Sequence, residues 1–500
     1  MENEIFDVLI VGAGLSGIGA AVHLTKRCPG KSFAIVEARE RLGGTWDLFK
    51  YPGIRSDSDM YTLGYNFKPW TARRAIADAP SILTYLHETV DEYGLQDKIR
   101  FGQKVIDASW SSEEALWTVS LQHGDGSLSS VKCNFLHMCS GYYSYDEGHD
   151  PDFPGKADFA GTVVHPQFWP EGLDYAGKKV VVIGSGATAV TLVPSMADTA
   201  AHVTMLQRSP TYIVSRPGED KWALRLRKFL PSKLAYLLTR WKNVLLGLFM
   251  FNLARKKPAA FKGRLLEMVR EEMGPDVNMA DYTPSYNPWD QRLCLVPDSD
   301  LFDSIKSGKA SIVTDHVERF TKDGILLKSG KILEADIIIT ATGLKMLMGG
   351  NAAISVDGEP VDFSQTINYK GVMFSGVPNF GMTMGYTNAS WTLKADLTSE
   401  YVCRLINYMD RNGTPIATPT LPVDEAIGTE PMLDFSSGYV QRAIDHLPKQ
   451  GDRKPWKLNQ NFPKDIINLR HKAVDDGVMV FSKPVAVTDG RREPEVIAAE

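Results

Sequence analysis

The chain has 500 residues, 43% of them hydrophobic and 23% charged, and a formal net charge of −5. That length exceeds what one hydrophobic core organises, so two or three globular domains are expected. The slight acidic excess leaves no electrostatic footprint for nucleic acid. Five scattered cysteines without a CxxC pair, Cys28, Cys133, Cys139, Cys294 and Cys403, argue against a disulfide framework and a zinc site.

The chain opens MENEIFDVLIVGAG, with acids where a signal peptide carries basic residues. The longest apolar stretch elsewhere, Val244 to Phe251, is far shorter than the roughly 20 residues that span a bilayer. A cytoplasmic protein without a transmembrane segment is expected.

The first element is an apolar run of strand length, Asp7 to Val11, which leads through Gly12, Gly14 and Gly17 into an amphipathic helix. Glycines at this spacing permit a tight turn and let backbone N–H groups at a helix N-terminus approach a pyrophosphate. A second strand, SFAIVEA, ends in Glu37, 20 residues beyond Gly17, the spacing of an acid that accepts from ribose hydroxyls. The pattern recurs at KKVVVIGSGATAV, with Gly184, Gly186 and Ala189, and its following strand ends in Gln207 and Arg208 where the first unit has Glu37. An acid there repels a 2′-phosphate and an arginine attracts one. The first turn therefore reads as a site for a dinucleotide with free ribose hydroxyls, and the second as a site for NADPH.

Two such turns fit either two copies of an NADP enzyme or a flavoprotein holding FAD first and NADPH second. Two later strand endings, FLHMCSG (135–141) and ADIIITATG (335–343), favour the flavoprotein, because each dinucleotide unit then closes with a returning strand and a small-residue turn. A flavin disulfide reductase shares this layout but needs a redox cysteine pair that the sequence lacks. The expected fold is α/β, with two Rossmann-like dinucleotide-binding domains, an FAD domain with an inserted NADP domain, plus a small helical insertion. The expected boundaries are 1–145 for the first part of the FAD domain, 146–178 for a linker and 179–215 for the first part of the NADP domain. A helical insertion over 216–284, the rest of the NADP domain over 285–374 and the rest of the FAD domain over 375–500 complete the chain.

The linker contains FAGTVVHPQFWP, which matches the fingerprint F-x-G-x-x-x-H-x-x-x-W-P through Phe159, Gly161, His165, Trp169 and Pro170. GGTWDLFKYPGIRSDSD carries a second motif through Gly43, Gly44, Trp46, Tyr51, Pro52, Gly53 and Asp57. On these residues the sequence resembles class B flavin monooxygenases and, within them, type I Baeyer–Villiger monooxygenases. The stretches GGTWDLFKYPGIRSDSDMYTLGY, YNPWDQRLCLVP and GYTNASWTLKADL are similar to the ethionamide-activating mycobacterial branch. The resemblance implies oxygenation of ketones and of thioether or thioamide sulfur with NADPH and O₂. N- and S-oxygenating relatives without ketone activity usually lack the tryptophan that stands here as Trp169.

The resemblance also implies site residues. Arg292, in WDQRLCL, takes the place of the family's essential arginine beside a flavin peroxide, and Asp57 that of its ion-pair partner. An arginine suits that place because it holds charge without giving up a proton. Ser16, Glu37, Thr45, Trp46, Asp47 and Leu48 are implied along FAD, with Val105 at its adenine end, and Arg55, Ser56 and Asp57 where nicotinamide meets flavin. Ser185, Gly186, Ala187, Thr188 and Thr191 follow the NADP phosphates, with Arg208 and Ser209 at the 2′-phosphate. Many relatives have a lysine before the active-site arginine that also holds this phosphate; here the position is Gln291.

Residues 221–270 carry thirteen Lys and Arg against one acid, Glu267, interleaved with Leu, Trp and Phe at helical spacings. This reads as a helical subdomain with a solvated basic face, or as a surface that touches anionic lipid peripherally. His165 and Trp169 are expected to couple the positions of the two domains rather than to react.

Overall fold

A computed structural model describes residues 4–484, apart from Arg292 and Asp434. Two sheets organise it. In the first, Ile5–Val11 lies between the parallel strands Phe33–Val36 and Leu128–Met138. Both faces of Ile5–Val11 are buried over Val8 to Ile10, as expected of a parallel strand covered on both sides. An antiparallel meander of Gln103–Ser111, Leu116–His123 and Leu128–Met138 extends this sheet. Phe380–Met382 runs parallel to the end of Leu128–Met138. The helix Leu15–Arg27 buries Ile18, Ala21 and Val22 and packs on the helix Trp391–Asn412. Lys26 and Arg27 in its last turn complement the helix dipole.

The second sheet is wholly parallel, in the order Ala310–Thr314, His202–Gln207, Lys179–Ile183, Ile337–Thr340, Thr162–Val164. The chain thus has the two Rossmann-like units expected of it. Strand pairing departs from the expected segments in two places. Thr162–Val164, inside the expected linker, is the edge strand of the second sheet, pairing Val163 with Ile338. Ala353–Val356, inside the expected second part of the NADP domain, pairs with Gln103–Ser111 of the first sheet. Three-residue and four-residue strands carry too little periodicity to be seen before their partners are known.

The insertion forms three helices, Lys221–Phe229, Ser232–Lys256 and Pro258–Met273. Asp220 caps the first by accepting from Ala223 N, Pro231 separates the first two, and Pro258 starts the third. The expected solvated basic face is only partly present. Arg240 is buried and donates to the carbonyls of Tyr61 at 2.9 Å and Gly64 at 2.7 Å. Arg227 donates to the carbonyls of Thr71 at 2.7 Å and Ala72 at 3.1 Å. These two cations anchor the insertion to the first domain, because the helical turn Met60–Leu63 and the loop after it offer carbonyls left unused by regular pairing. No helix among the described residues is long and apolar enough to cross a membrane.

Candidate active site

One cleft of about 1130 Å³ runs between the two sheets, larger than the roughly 300–1,000 Å³ typical of a single small-molecule site. Both glycine turns open onto it. Gly12 has φ +103, and a Cβ there would stand 2.7 Å from the carbonyl oxygen of Cys139. Gly184 has φ +138, and a Cβ there would stand 2.3 Å from the carbonyl oxygen of Ala341. Each first glycine is therefore pressed against the returning strand's small-residue turn, HMCSG in one unit and ITATG in the other. The helices that follow, Leu15–Arg27 and Ala187–Ala197, start without a side-chain cap and without an acid in the first turn. Their leading N–H groups stay available to an anion.

Glu37 is buried at the end of its strand, accepting from Ala13 N at 2.7 Å and Arg39 N at 3.0 Å. Burial raises its pKa above the ordinary carboxylate value. In the second unit, Gln207 turns away, donating to Asp281 O and Thr314 Oγ1, while Arg208 lines the cleft. Arg442 lines it too; burial, then the Arg208 charge, lowers its pKa. Two cations thus face this end of the cleft without a carboxylate partner among the described residues.

The cleft wall brings together Gly12, Gly14, Ser16, Glu37, Thr45, Trp46, Arg55, Ser56, Asp57 and Val105 from the first unit. From the second it takes Gly184, Ser185, Gly186, Ala187, Thr188, Thr191, Arg208 and Ser209. Val105 lies at a register shift in its strand, where a bulge exposes backbone that a regular ladder would occupy. Four residues stand off the wall. Gly17 and Ala189 sit beneath the turns, where a Cβ on Gly17 would meet Gly12 O at 1.8 Å and Ala189 is fully buried. Asp47 turns its carboxylate to Arg39, Arg41 and Lys50 at 2.8–3.2 Å, and Leu48 packs on the second domain's core. Arg292 lies outside the described residues; Gln291 and Cys294, close to it in the chain, line the cleft.

Arg55 pairs with Asp300 of the second unit at 2.5 Å. Gly53, with φ +74, packs so closely on Ser195 that a Cβ would stand 1.7 Å from its Oγ. The YPGIRSD segment is thus a contact between the two domains as well as cleft wall. The fingerprint makes an interdomain contact too, without reaching the cleft wall. Phe159 is buried against Phe320, His165 Nδ1 accepts from Gln167 N at 3.2 Å, and Gln167 reaches the carbonyls of Ser144 and Tyr145. His165 does not line the cleft, and burial lowers its pKa.

Several wall residues escaped the sequence reading. Trp391 donates from Nε1 to Ser16 Oγ at 2.8 Å and stacks on Tyr142 at 5.1 Å. It lies in GYTNASWTLKADL, so the motif flagged the segment but not the residue. Tyr386, from the same stretch, lines the wall and donates to buried Asp465 at 2.8 Å. Arg442 carries no sequence signal; only folding brings it near Arg208.

Comparison with known proteins agrees with this architecture. A family model described as flavin-binding monooxygenase-like matches residues 75–349, and an NAD(P)-binding Rossmann-like domain matches residues 10–70. The FAD-containing monooxygenase EthA of Mycobacterium tuberculosis is 55% identical over 491 residues, covering 97% of this chain and 100% of that protein. The probable FAD-binding monooxygenase AlmA of Acinetobacter baylyi is 49% identical over 499 residues, covering 100% of each. An oxidised steroid monooxygenase bound to NADP shares the fold with a TM-score of 0.71 at 23% identity, over 83% of this chain and 88% of that one. Cyclohexanone monooxygenase from Rhodococcus sp. Phi1, bound to NADP⁺, gives 0.69 at 23% identity, over 84% and 87%. With two glycine turns facing one cleft and relatives this similar along nearly its whole length, the chain belongs to the flavin-binding monooxygenase-like family and is an oxidoreductase.

Proposed function

We propose that the chain is an FAD- and NADPH-dependent Baeyer–Villiger monooxygenase that also oxidises thioether and thioamide sulfur. With a ketone the balance is ketone, O₂, NADPH and a proton giving ester or lactone, water and NADP⁺. The observation that carries the reading is the pair of dinucleotide turns of opposite charge on one cleft, Glu37 at one ribose position and Arg208 at the other. The fingerprint Trp169 and the placement of Arg292 by resemblance favour ketone chemistry over N- or S-oxygenation alone.

The residues present fit both cofactors. Gly12 leaves no room for a side chain at the pyrophosphate position, and the uncapped helix beginning at Leu15 directs N–H groups there. Glu37, with ribose hydroxyls donating to it, would gain the partners that a buried carboxylate needs. Ser16, Thr45, Trp46 and Val105 would line FAD, with Asp47 and Leu48 holding the backbone of that turn. Gly184 and the residues Ser185 to Thr191 would follow the NADP phosphates. Arg208, Ser209 and Arg442 would hold the 2′-phosphate, Arg442 supplying the second cation that Gln291 does not. When bound, FAD supplies the electron transfer and oxygen activation that side chains cannot.

The chain's own part is orientation and charge. Arg292 and Asp57 are the catalytic residues of this reading. By its resemblance, Arg292 would supply a fixed positive charge to the flavin without offering a labile proton, an effect commonly worth about 3 kcal/mol of barrier. Asp57, on the cleft wall, would orient that guanidinium. Arg55 and Ser56 line the cleft and would shape the floor where nicotinamide and flavin meet; Arg55 is held in place by Asp300.

The test is product analysis with FAD-loaded protein, NADPH and O₂, using phenylacetone and a methyl aryl sulfide. Benzyl acetate together with sulfoxide is expected. Sulfoxide without ester replaces the reading by an N- or S-oxygenating flavin monooxygenase, and NADPH consumption with neither product overturns it.

A further inference from the structure

The long insertion helix Ser232–Lys256 is apolar on its outward face as well as its inward one. Its inward face buries Tyr236, Thr239, Arg240 and Val244 against the first domain. Its outward face presents Leu234, Leu237, Leu238, Leu245 and Phe249, which are 42–60% exposed and follow the three- and four-residue spacing of one helical stripe. The preceding helix adds Trp222 at 50% and Phe229 at 83% exposure. A contiguous apolar surface of this kind marks a contact with another phase or partner rather than a random surface.

Charge decides which. From Lys221 to Lys257 there is no acidic residue. Of the cations in that span, Arg227 and Arg240 are committed to backbone carbonyls, Lys242 to Asp220 and Arg255 to Asp290. Lys221, Arg225, Lys228, Lys233, Lys256 and Lys257 are exposed and make no ion pair among the described residues. A second copy of the same face would bring these charges against their equals across a two-fold axis. An anionic lipid surface satisfies both properties, taking leucine and aromatic side chains into its acyl boundary and cations at its headgroups.

We propose that the helices Lys221–Phe229 and Ser232–Lys256 form a docking face that lies on, and does not cross, an anionic lipid bilayer. The face connects to the cleft. Phe251 and Phe261 enclose Trp289 at ring distances of 5.7 and 5.8 Å, and Arg255 holds Asp290 at 2.8 Å. The next residue, Gln291, lines the cleft. An apolar substrate dissolved in the bilayer is thereby brought beside the oxygenating site, whichever of its atoms is oxygenated.

The test is sedimentation of FAD-loaded, full-length protein with vesicles of phosphatidylglycerol and phosphatidylcholine, against phosphatidylcholine alone, at low and high salt. Binding to the anionic vesicles is expected, weakened by salt. It should fall about tenfold or more in Leu245→Glu/Phe249→Glu and in Lys228→Glu/Lys233→Glu. Both variants should keep flavin content and turnover of a water-soluble substrate, because the changed side chains point to solvent. Wild-type protein left in the supernatant at low salt overturns the proposal. So does equal binding by the Leu245/Phe249 variant. Oligomers that this variant dissolves, with no vesicle binding by the wild type, assign the face to a second copy instead.

Discussion

The carboxamide of Gln167 donates to the carbonyl oxygen of Ser144 at 2.9 Å, inside the protein. A second bond from the same nitrogen reaches Tyr145 O at 3.1 Å. Gln167 belongs to the fingerprint turn after the edge strand of the second sheet, and Tyr145 lines the cleft. The pair is therefore a clamp between the domain that carries Arg208 and the segment that follows the returning strand of the flavin-side unit.

Replacing Gln167 by Leu should leave the Ser144 and Tyr145 carbonyls, the first of them buried, short of a donor and cost about 1–3 kcal/mol of stability. On the coupling role proposed for this segment, hydrogen peroxide released per NADPH should rise while flavin content stays normal. His165→Ala should act in the same direction. Stoichiometric coupling of NADPH to product in both variants would leave the segment a purely structural role.

Glu37→Gln tests the flavin-side ribose. The amide keeps the size of the carboxylate but exchanges an acceptor oxygen for a donor, next to Ala13 N at 2.7 Å and the ribose position. FAD should bind about tenfold more weakly, the equivalent of ~1.4 kcal/mol. Fluorescence of flavin released on dilution measures it, and unchanged affinity sinks the assignment.

Arg208 and Arg442 should be separable by coenzyme. Each charge-assisted bond to a phosphate is worth about 1.5–3 kcal/mol, so Arg208→Ala and Arg442→Ala should each raise KM for NADPH by about tenfold to a hundredfold. KM for NADH should hardly change. Equal effects on the two coenzymes would mean that these arginines shape the cleft without reading the 2′-phosphate.

Buried His137 should make stability fall in mild acid. Burial lowers its pKa from 6.5 to about 4, and Nε2 is 3.0 Å from Thr383 Oγ1. The unfolded chain binds the proton more readily, so this contribution is fully present above pH 6.5 and is lost as pH falls towards 4. The loss amounts to about 3 kcal/mol. Denaturant titrations between these limits should show the decline, and His137→Gln should flatten it.

The legible part of this protein was local. A strand, a glycine turn, a helix and a charged residue at the next strand end occupy about 30 contiguous residues. Their meaning survives without knowing what surrounds them, which is why Gly12, Glu37, Gly184 and Arg208 could be named from the chain alone. The fingerprint and YPGIRSD motifs were equally visible, but their contacts were not: Gly53 against Ser195 and Gln167 against Ser144 each join different domains. The basic segment left two readings open, a solvated face or one that touches lipid, because its spacing alone does not orient it. Helical spacing shows that a helix has two faces, yet which face is buried depends on the neighbour.

The sequence by itself determined two dinucleotide turns, their opposite charge and the family motifs between them, because backbone geometry and ribose recognition are set by near neighbours in the chain. Only the tertiary structure decided that both turns share one cleft, that Trp391 and Arg442 complete its wall, and that Arg240 points inward while Leu245 and Phe249 face out. Arg240 can be buried because the carbonyls of Tyr61 and Gly64 and the Asp396 carboxylate, 3.5 Å away, surround its guanidinium. Those partners lie more than a hundred residues away along the chain, and desolvating a charge is tolerated only once they are in place.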